Sequence, residues 1–287
     1  MQRVSIVFGP IDSRRFGRSL GINHIPLKHC TYSCVYCQLG PTPRTSIERR
    51  AFYDTATVVR AVEEKCGGPS FDVISFVPDG EPTLDLNLGS HIRAVKHFGY
   101  PVAVITNGSL LWREDVRTEL AAADIVSVEV DAVSDRVWKR MDRPARGLSI
   151  SRVLAGIRLF ADEYGGQLWT QTMLLDGFND LSKVAATLGA LQPERICLSV
   201  PTRPPAGAGV RAADGAVLAR ALELIPAGEL MTRDPGSASV RTTEELLAVL
   251  AVHPIREDTV DRALIDERRM RRVKHAGTTF LCVRTQE

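Results

Sequence analysis

The run His29-Cys30-Thr31-Tyr32-Ser33-Cys34-Val35-Tyr36-Cys37 places three cysteines at the spacing CxxxCxxC, with an aromatic residue directly before the last one. A structural zinc ion normally has four protein ligands. Three clustered thiolates instead suit a cubane iron-sulfur cluster that leaves one iron free for another molecule. The spacing therefore predicts an iron-sulfur site in which Cys30, Cys34 and Cys37 are the metal ligands and the catalytic residues.

Around this run, the chain alternates short β-branched apolar segments with longer amphipathic ones, a pattern typical of repeated βα units around a parallel sheet. Six strands are predicted, near residues 19–25, 72–77, 102–106, 125–130, 168–174 and 195–200. Five helices are predicted between them, near residues 46–65, 88–98, 113–122, 149–163 and 181–191. The predicted fold class is α/β, a partial (β/α)6 TIM-like barrel.

The last part of the chain has a different pattern. We predict a barrel over residues 1–225 and a small C-terminal module over 226–287, with Pro226-Ala227-Gly228 as the linker. A helix near 242–252, a second helix near 256–264 and a hairpin near 271–283 form the order of a winged-helix-like module. Six basic residues at the possible wing suggest RNA or another nucleic acid as a partner: Arg262, Arg268, Arg269, Arg271, Arg272 and Lys274. Docking of a protein partner and capping of the barrel are the alternatives.

Composition excludes some classes of function. The formal net charge of +2 on 287 residues is not that of a protein with an overall affinity for polyanions, although residues 1–50 carry eight Arg or Lys against Asp12 and Glu48 only. The start MQRVSIVFG has no long apolar run, so neither a signal peptide nor a membrane partner is predicted, and a cytoplasmic location is expected. The three dispersed cysteines are expected to be buried free thiols: Cys66, Cys197 and Cys282.

The cysteine run resembles the hallmark of the radical S-adenosylmethionine (SAM) superfamily, CxxxCxΦC, with Tyr36 as the aromatic Φ. Residues 9–21 and Cys37-Gln38-Leu39-Gly40 resemble a largely uncharacterised single-cluster subgroup that is distantly similar to the tRNA wyosine synthases. The resemblance implies a 4Fe-4S cluster whose open iron chelates SAM, reduced by a donor such as flavodoxin or ferredoxin. It further implies cleavage of SAM to a 5′-deoxyadenosyl radical that abstracts hydrogen from a substrate.

In parallel α/β folds the binding groups gather where strands end, so the loops after the predicted strands are the expected site. By resemblance, Gly80-Glu81-Pro82 is the GGE-like motif for the SAM amino group, with Asp79 in place of the first glycine. The other predicted SAM contacts are Tyr36 in the cysteine run, Asn107 and Asp131 for the ribose or methionyl part, Arg143 for the carboxylate and, by resemblance, Ser199 and Val200 against adenine.

Simpler interpretations exist for several of these residues. Asn107-Gly108 is also ordinary turn chemistry, and Arg143 also fits a solvated loop position. Asn179 and Arg203 are predicted to face the substrate, although Arg203 also fits as an anchor for the extended exit at Pro204-Pro205.

Several functions stay open at this point. The substrate is an RNA base, a protein or peptide, or a small metabolite, and a glycyl-radical-enzyme activase is the alternative enzyme. The wyosine reaction is disfavoured because residues 1–29 contain no cysteine for a second cluster, and Lys28 alone among the lysines lies near a predicted strand end. A hypothesis of another class is a regulator, in which a metal-cysteine cluster is joined to a winged helix, but it gives Gly80-Glu81-Pro82 no role.

Overall fold

The computed structural model of the protein describes residues 6–232 and 240–284. Its main feature is an eight-stranded sheet in which the strands follow one another in chain order. The strands are β1 Val7–Ser13, β2 Gly17–Ile22, β3 Val73–Phe76, β4 Val102–Thr106, β5 Ile125–Glu129, β6 Gln167–Met173, β7 Arg195–Ser199 and β8 Gly228–Met231. Strands β2 to β8 run parallel, and β1 pairs antiparallel with β2.

The α/β partial barrel is confirmed, and the six predicted strands are β2 to β7. Their central residues are buried from both sides, as the apolar runs indicate for a parallel sheet. The sequence did not predict β1, whose pairing with β2 is interrupted by a register shift between Phe8 and Ile11. It also did not predict β8, where Glu229 and Leu230 are exposed, so that no buried apolar run marks the strand.

Seven helices cover the sheet in the barrel: α1 Thr55–Cys66, α2 Leu88–Val95, α3 Glu114–Leu120, α4 Asp135–Met141, α5 Ile150–Glu163, α6 Leu181–Leu191 and α7 Gly215–Leu224. Helix α1 begins at Thr55, later than the predicted start near residue 46. Asp54 caps it by accepting a hydrogen bond from the Thr57 amide. Before the cap, the Arg50 amide donates to the Leu84 carbonyl at 2.8 Å, so this part of the chain pairs with another loop and is not helical.

The C-terminal unit consists of α8 Thr243–Val252 and a three-stranded sheet of β9 Ile255–Arg256, β10 Met270–His275 and β11 Thr278–Val283, in the order β10-β11-β9. The predicted helix capped by Thr242 and the predicted hairpin are present. The winged-helix prediction is not confirmed. Residues predicted as a second helix form β9 and two single 3-10 turns, Glu257–Thr259 and Arg262–Leu264.

The second helix fails for a local reason. The Asp261 carboxylate accepts a hydrogen bond from the Ala263 amide, and Asp258 forms an ion pair with Arg256. Such short-range bonds compete with helical hydrogen bonds and favour turns. The unit also shares a core with the barrel, because Leu246 and Leu281 pack with Phe8 of β1. Strand β8, which lies beyond residue 226, pairs with β7 in the barrel sheet.

In the part of the chain that the structure describes, the longest helix is α5 with 14 residues, and no helix has both the length and the apolar surface that a membrane crossing requires.

A helix-to-loop contact gives a test of the packing. A Cβ atom on Gly156 of α5 would lie 2.2 Å from the Trp112 amide nitrogen and 2.6 Å from the Leu111 carbonyl carbon. We expect Gly156→Ala to lower the free energy of unfolding by about 1–3 kcal/mol, because a backbone must move to make room. The matched control is Gly189→Ala in α6, where a Cβ meets nothing within 4 Å. Urea unfolding of the cluster-free protein should show the control unchanged or up to about 1 kcal/mol more stable; equal effects of the two substitutions contradict the packing.

Candidate functional site

The loops after β2 to β7 enclose a cavity of about 230 Å³ at the carboxyl edge of the sheet. Nine of the predicted site residues line it: Cys30, Cys34, Tyr36, Cys37, Gly80, Glu81, Asn107, Val200 and Arg203. The topology explains this grouping, because strand ends that are far apart in sequence meet at one edge of a parallel sheet.

The three cysteines lie on a long loop, residues 23–54, that contains no helix or regular strand. Its backbone is fixed by the segment after α4. The Val35 amide donates to the Met141 carbonyl at 2.9 Å, and the Ser33 amide donates to the Asp142 carbonyl at 3.0 Å. The Thr31 carbonyl accepts from the Ala145 amide at 2.8 Å. The cysteine loop is therefore held by its neighbours and not by internal secondary structure.

Gly80 fixes the distance between the cysteine loop and the loop after β3. A Cβ atom at this position would lie 1.9 Å from the His29 carbonyl oxygen, so no other residue fits without a backbone shift. Beside it, the Glu81 amide donates to the same oxygen at 3.0 Å, and the Lys28 amide donates to the Asp79 carbonyl at 2.8 Å. The loop after β3 thus has a structural role next to the cysteines.

The Glu81 side chain joins two segments, its own loop after β3 and the end of β4. Its Oε1 accepts from the Thr83 amide at 3.1 Å, from the Thr83 hydroxyl at 2.7 Å and from the Thr106 hydroxyl at 2.5 Å. Its Oε2 accepts from the Asn107 amide at 2.9 Å. Burial raises the pKa of this carboxyl, and the four donors oppose the rise. Its hydrogen-bonding capacity is used within the protein, to connect the end of β4 with the loop after β3.

Asn107 continues this network to the cysteine loop. Its Nδ2 donates to the Thr31 hydroxyl at 2.8 Å and lies 3.8 Å from the Cys30 sulfur. Ser109 donates to the same Thr31 hydroxyl at 2.7 Å. Asn107 therefore lies at the cavity wall and also orders the loop that carries Cys30.

A group of buried acids lies beside Tyr36. Its hydroxyl donates to Asp131 Oδ2 and lies 3.4 Å from Glu129 Oε2. Burial raises the pKa of Glu129 to about 8 and that of Asp131 to about 6, and it raises the pKa of Asp142 well above its usual range. Of these three acids, Glu129, the last residue of β5, lines the cavity. Asp131 lies behind it, where its Oδ1 accepts from the Met173 amide at 2.6 Å.

Five predicted site residues do not line the cavity: Pro82, Asp131, Arg143, Ser199 and Asn179. Arg143 is exposed on the loop after α4, and Ser199 is buried at the end of β7, where its carbonyl accepts from Leu174. Asn179 Nδ2 donates to the Met173 carbonyl at 2.8 Å and therefore orders the loop after β6. Their assignment as SAM or substrate contacts stays a prediction.

Several other cavity residues are not among the contacts that the sequence predicts: Arg14, Arg15, Lys28, Gln38, Asp79, Glu129, Gln171 and His253. Asp79 directly precedes the predicted contact Gly80, and Glu129 lies two positions before the predicted contact Asp131. Arg14 and Arg15 come from the turn between β1 and β2, and His253 comes from the C-terminal unit just after α8. Residues so distant in sequence carry no local signal of a shared cavity.

His253 shows that the C-terminal unit contributes to this cavity. Its Nδ1 lies 2.6 Å from Gln38 Nε2 and 3.1 Å from an Arg203 guanidinium nitrogen, and its ring packs edge-on against Phe8 at 5.7 Å. Two donors on Nδ1 place the ring proton on Nε2. Burial, with the positive charge of Arg203, lowers the pKa of His253 well below its usual value, so the ring is neutral at pH 7.

Two thiols of the cysteine loop, those of Cys30 and Cys34, hold their protons more tightly than an exposed thiol does. Burial raises the pKa of Cys30 to about 12, and burial with the nearby Asp142 carboxylate raises that of Cys34 well above its usual range. Metal binding at these sulfurs must therefore displace protons. Within residues 6–232 and 240–284, no three His, Cys, Asp or Glu side chains are arranged to hold a single metal ion.

Comparison with known proteins identifies the family. Residues 25–188 match the model of the radical SAM superfamily. A UPF0026 protein of Methanocaldococcus jannaschii is 39% identical over 277 residues, which cover 91% of this chain and 86% of that protein. Two solved structures share the fold at 13% identity. Streptococcus suis SuiB bound to S-adenosylmethionine has a TM-score of 0.55. The match covers 75% of this chain and 51% of the SuiB chain. TYW1 with a lysine-pyruvate adduct bound has a TM-score of 0.50, and the match covers 92% of this chain and 80% of the TYW1 chain. The chain, with its partial barrel and its three cysteines on the loop after β2, belongs to the radical SAM superfamily.

Proposed function

We propose that this protein is a radical SAM enzyme whose single 4Fe-4S cluster is held by Cys30, Cys34 and Cys37. The observation that carries the proposal is the presence of these three thiols on one loop in the wall of one cavity, at the carboxyl edge of the sheet. The cluster, once reduced, would supply the one electron that breaks the S–C5′ bond of bound SAM and gives methionine and a 5′-deoxyadenosyl radical. That radical abstracts hydrogen from a substrate, which is not yet identified.

The cavity offers a partner for a bound ammonium group. Asp79 is only 5% exposed, and its Oδ2 accepts from Asn23 Nδ2 at 2.8 Å. Its Oδ1 has no hydrogen-bond partner. A buried, unpartnered carboxylate oxygen is costly unless a ligand satisfies it, and a charged amino group does so well. Burial raises the pKa of Asp79 to about 7, and a bound cation is expected to lower it.

The remaining cavity residues supply orientation. Glu129 is the carboxylate that we propose for the ribose hydroxyls, because it lines the cavity while Asp131 faces Tyr36 and Met173. Val200 is the cavity residue at the end of β7 that we propose to pack against adenine. The Val200 carbonyl lies 3.4 Å from an Arg14 guanidinium nitrogen, which connects this wall to the turn before β2.

Gln38, Arg203 and His253 line the cavity, and we propose that they face the substrate. Lys28 is the lysine that lines the described cavity, and its Nζ donates to the Cys37 sulfur at 3.2 Å and to the Gly40 carbonyl at 2.5 Å. An amine in these bonds is not available to attack a carbonyl group, so we do not propose a lysine adduct like that in TYW1.

Contact with RNA or a protein partner through the C-terminal unit stays a prediction. Some of the basic residues that suggested it form ion pairs. Arg272 pairs with Glu257 and Glu267, each at 2.7 Å, and Arg269 pairs with Glu244. These carboxylates reduce the positive charge that a nucleic acid would meet at the hairpin.

The first prediction concerns the cluster ligands. Cys30→Ala, Cys34→Ala and Cys37→Ala are each expected to abolish 5′-deoxyadenosine formation after anaerobic reconstitution with iron and sulfide and addition of dithionite and SAM. The matched control is Cys66→Ala at the end of α1, a partly buried cysteine that does not line the cavity, and it should keep activity within about twofold of the wild type. A cysteine-loop variant that still forms 5′-deoxyadenosine removes that residue from the cluster.

The second prediction concerns Asp79. Asp79→Asn keeps the side-chain shape but removes the charge that faces the ammonium group, so we expect SAM affinity to fall about tenfold or more, which corresponds to about 1.4 kcal/mol. Isothermal titration of the reconstituted protein measures this, and iron content should stay at the wild-type level. Asp72→Asn, at the opposite end of β3, is the control and should bind SAM normally. Unchanged affinity of Asp79→Asn excludes the contact.

A further inference from the structure

We propose that Lys28 tunes the reduction potential of the cluster, by placing its ammonium group as a charged hydrogen-bond donor on the sulfur of Cys37. The inference rests on the proposed function, since it requires that Cys37 is a cluster ligand. It assigns to Lys28 an electrostatic role, distinct from binding SAM or substrate.

The backbone at Lys28 is held in an unfavourable conformation. Its φ is +59°, in the left-handed region that residues with a Cβ rarely adopt. Such a conformation persists only when surrounding contacts enforce it, and it is found most often at functional sites. Here the Lys28 amide donates to the Asp79 carbonyl at 2.8 Å, and the following amide, of His29, donates to the Pro26 carbonyl at 3.0 Å. These two bonds fix the point from which the side chain extends.

The side chain then crosses the end of the cysteine run. Its Nζ donates to Cys37 Sγ at 3.2 Å and to the Gly40 carbonyl oxygen at 2.5 Å. The carbonyl bond holds the ammonium beside the sulfur, so the contact is fixed at both ends of the side chain. The donors nearest the Cys30 sulfur are uncharged groups instead, since the Tyr32 amide lies at 3.5 Å and Asn107 Nδ2 at 3.8 Å.

Several buried carboxyl groups lie around the cysteine loop. Asp142 and Glu129 each act on Cys34 and raise its pKa, and Glu81 acts in the same direction on Cys30. Lys28 acts on Cys30 in the opposite direction. The sulfurs thus lie among buried carboxyl groups, and Lys28 is the lysine that lines the cavity beside them.

The direction of the effect follows from charge. Reduction adds one electron to the cluster, and a nearby cation stabilises the reduced form more than the oxidised form, strongly so in a buried site. Hydrogen bonds to ligand sulfurs and net charge are among the factors that set the potential of an iron-sulfur cluster. Loss of the Lys28 charge should therefore make the cluster harder to reduce.

The test is a redox titration of the reconstituted cluster in the absence of SAM, followed by electron paramagnetic resonance. We expect Lys28→Met to lower the ratio of reduced to oxidised cluster at a fixed potential about tenfold, which is a 59 mV shift of the midpoint to more negative values for a one-electron couple. Lys28→Arg keeps the charge and should titrate close to the wild type. Lys139→Met, on the exposed face of α4, is the control and should not shift.

Each result bears on the proposal. A midpoint of Lys28→Met equal to that of the wild type, with full iron and sulfide content, overturns it, and so does an equal shift in Lys28→Arg. If Lys28→Met does not assemble a cluster, Lys28→Gln is the second neutral variant and carries the same expectation. A wild-type protein that forms no cluster refutes the proposed function itself, which separates that failure from failure of the Lys28 proposal.

Discussion

The cysteine loop depends on hydrogen bonds to the other loops at the carboxyl edge of the sheet. Residues 23–54 contain no helix or regular strand, so their backbone donors and acceptors need partners from elsewhere. The partners come from the loop after β3, which meets His29, and from the segment after α4, which meets Ser33 and Val35. A change in the position of either partner would move the cysteines, because the loop has no structure of its own to hold them.

The same arrangement determines the electrostatics of the site. Closing the loop over the sheet buries Glu81, Glu129 and Asp142 near the sulfurs, which favours the neutral form of acids and thiols alike. Two features offset this effect. Glu81 receives four hydrogen bonds within the protein, and the Lys28 ammonium contacts the Cys37 sulfur. Asp79, which lines the cavity, keeps one carboxyl oxygen without a hydrogen-bond partner, and we propose that this oxygen meets the ammonium group of SAM.

Much of the barrel was predictable from the sequence because buried parallel strands are apolar along their whole length, and the six such strands were identified. The exposed β8 and the interrupted β1 lack that pattern. The loop side chains that face the cavity were harder to predict than the strands. Strand β5 ends at Glu129, and beyond that residue the alternation of a strand no longer indicates which way a side chain faces. The sequence therefore predicts Asp131 as a SAM contact, whereas its side chain faces Tyr36.

Long-range contacts were beyond prediction. His253 and Arg15 reach the cavity from opposite ends of the chain, and no local pattern links them to the cysteines. The second C-terminal helix was predicted from spacing alone, without regard to the side-chain bonds of Asp258 and Asp261 that favour turns.

The most direct test of the account is electron paramagnetic resonance of the reconstituted, dithionite-reduced protein, recorded before and after addition of SAM. If Cys30, Cys34 and Cys37 hold a cluster with one open iron, the spectrum shows a reduced 4Fe-4S signal whose g values change when SAM is added. A cluster signal that SAM does not perturb, or a protein that retains zinc and forms no cluster, would contradict the account.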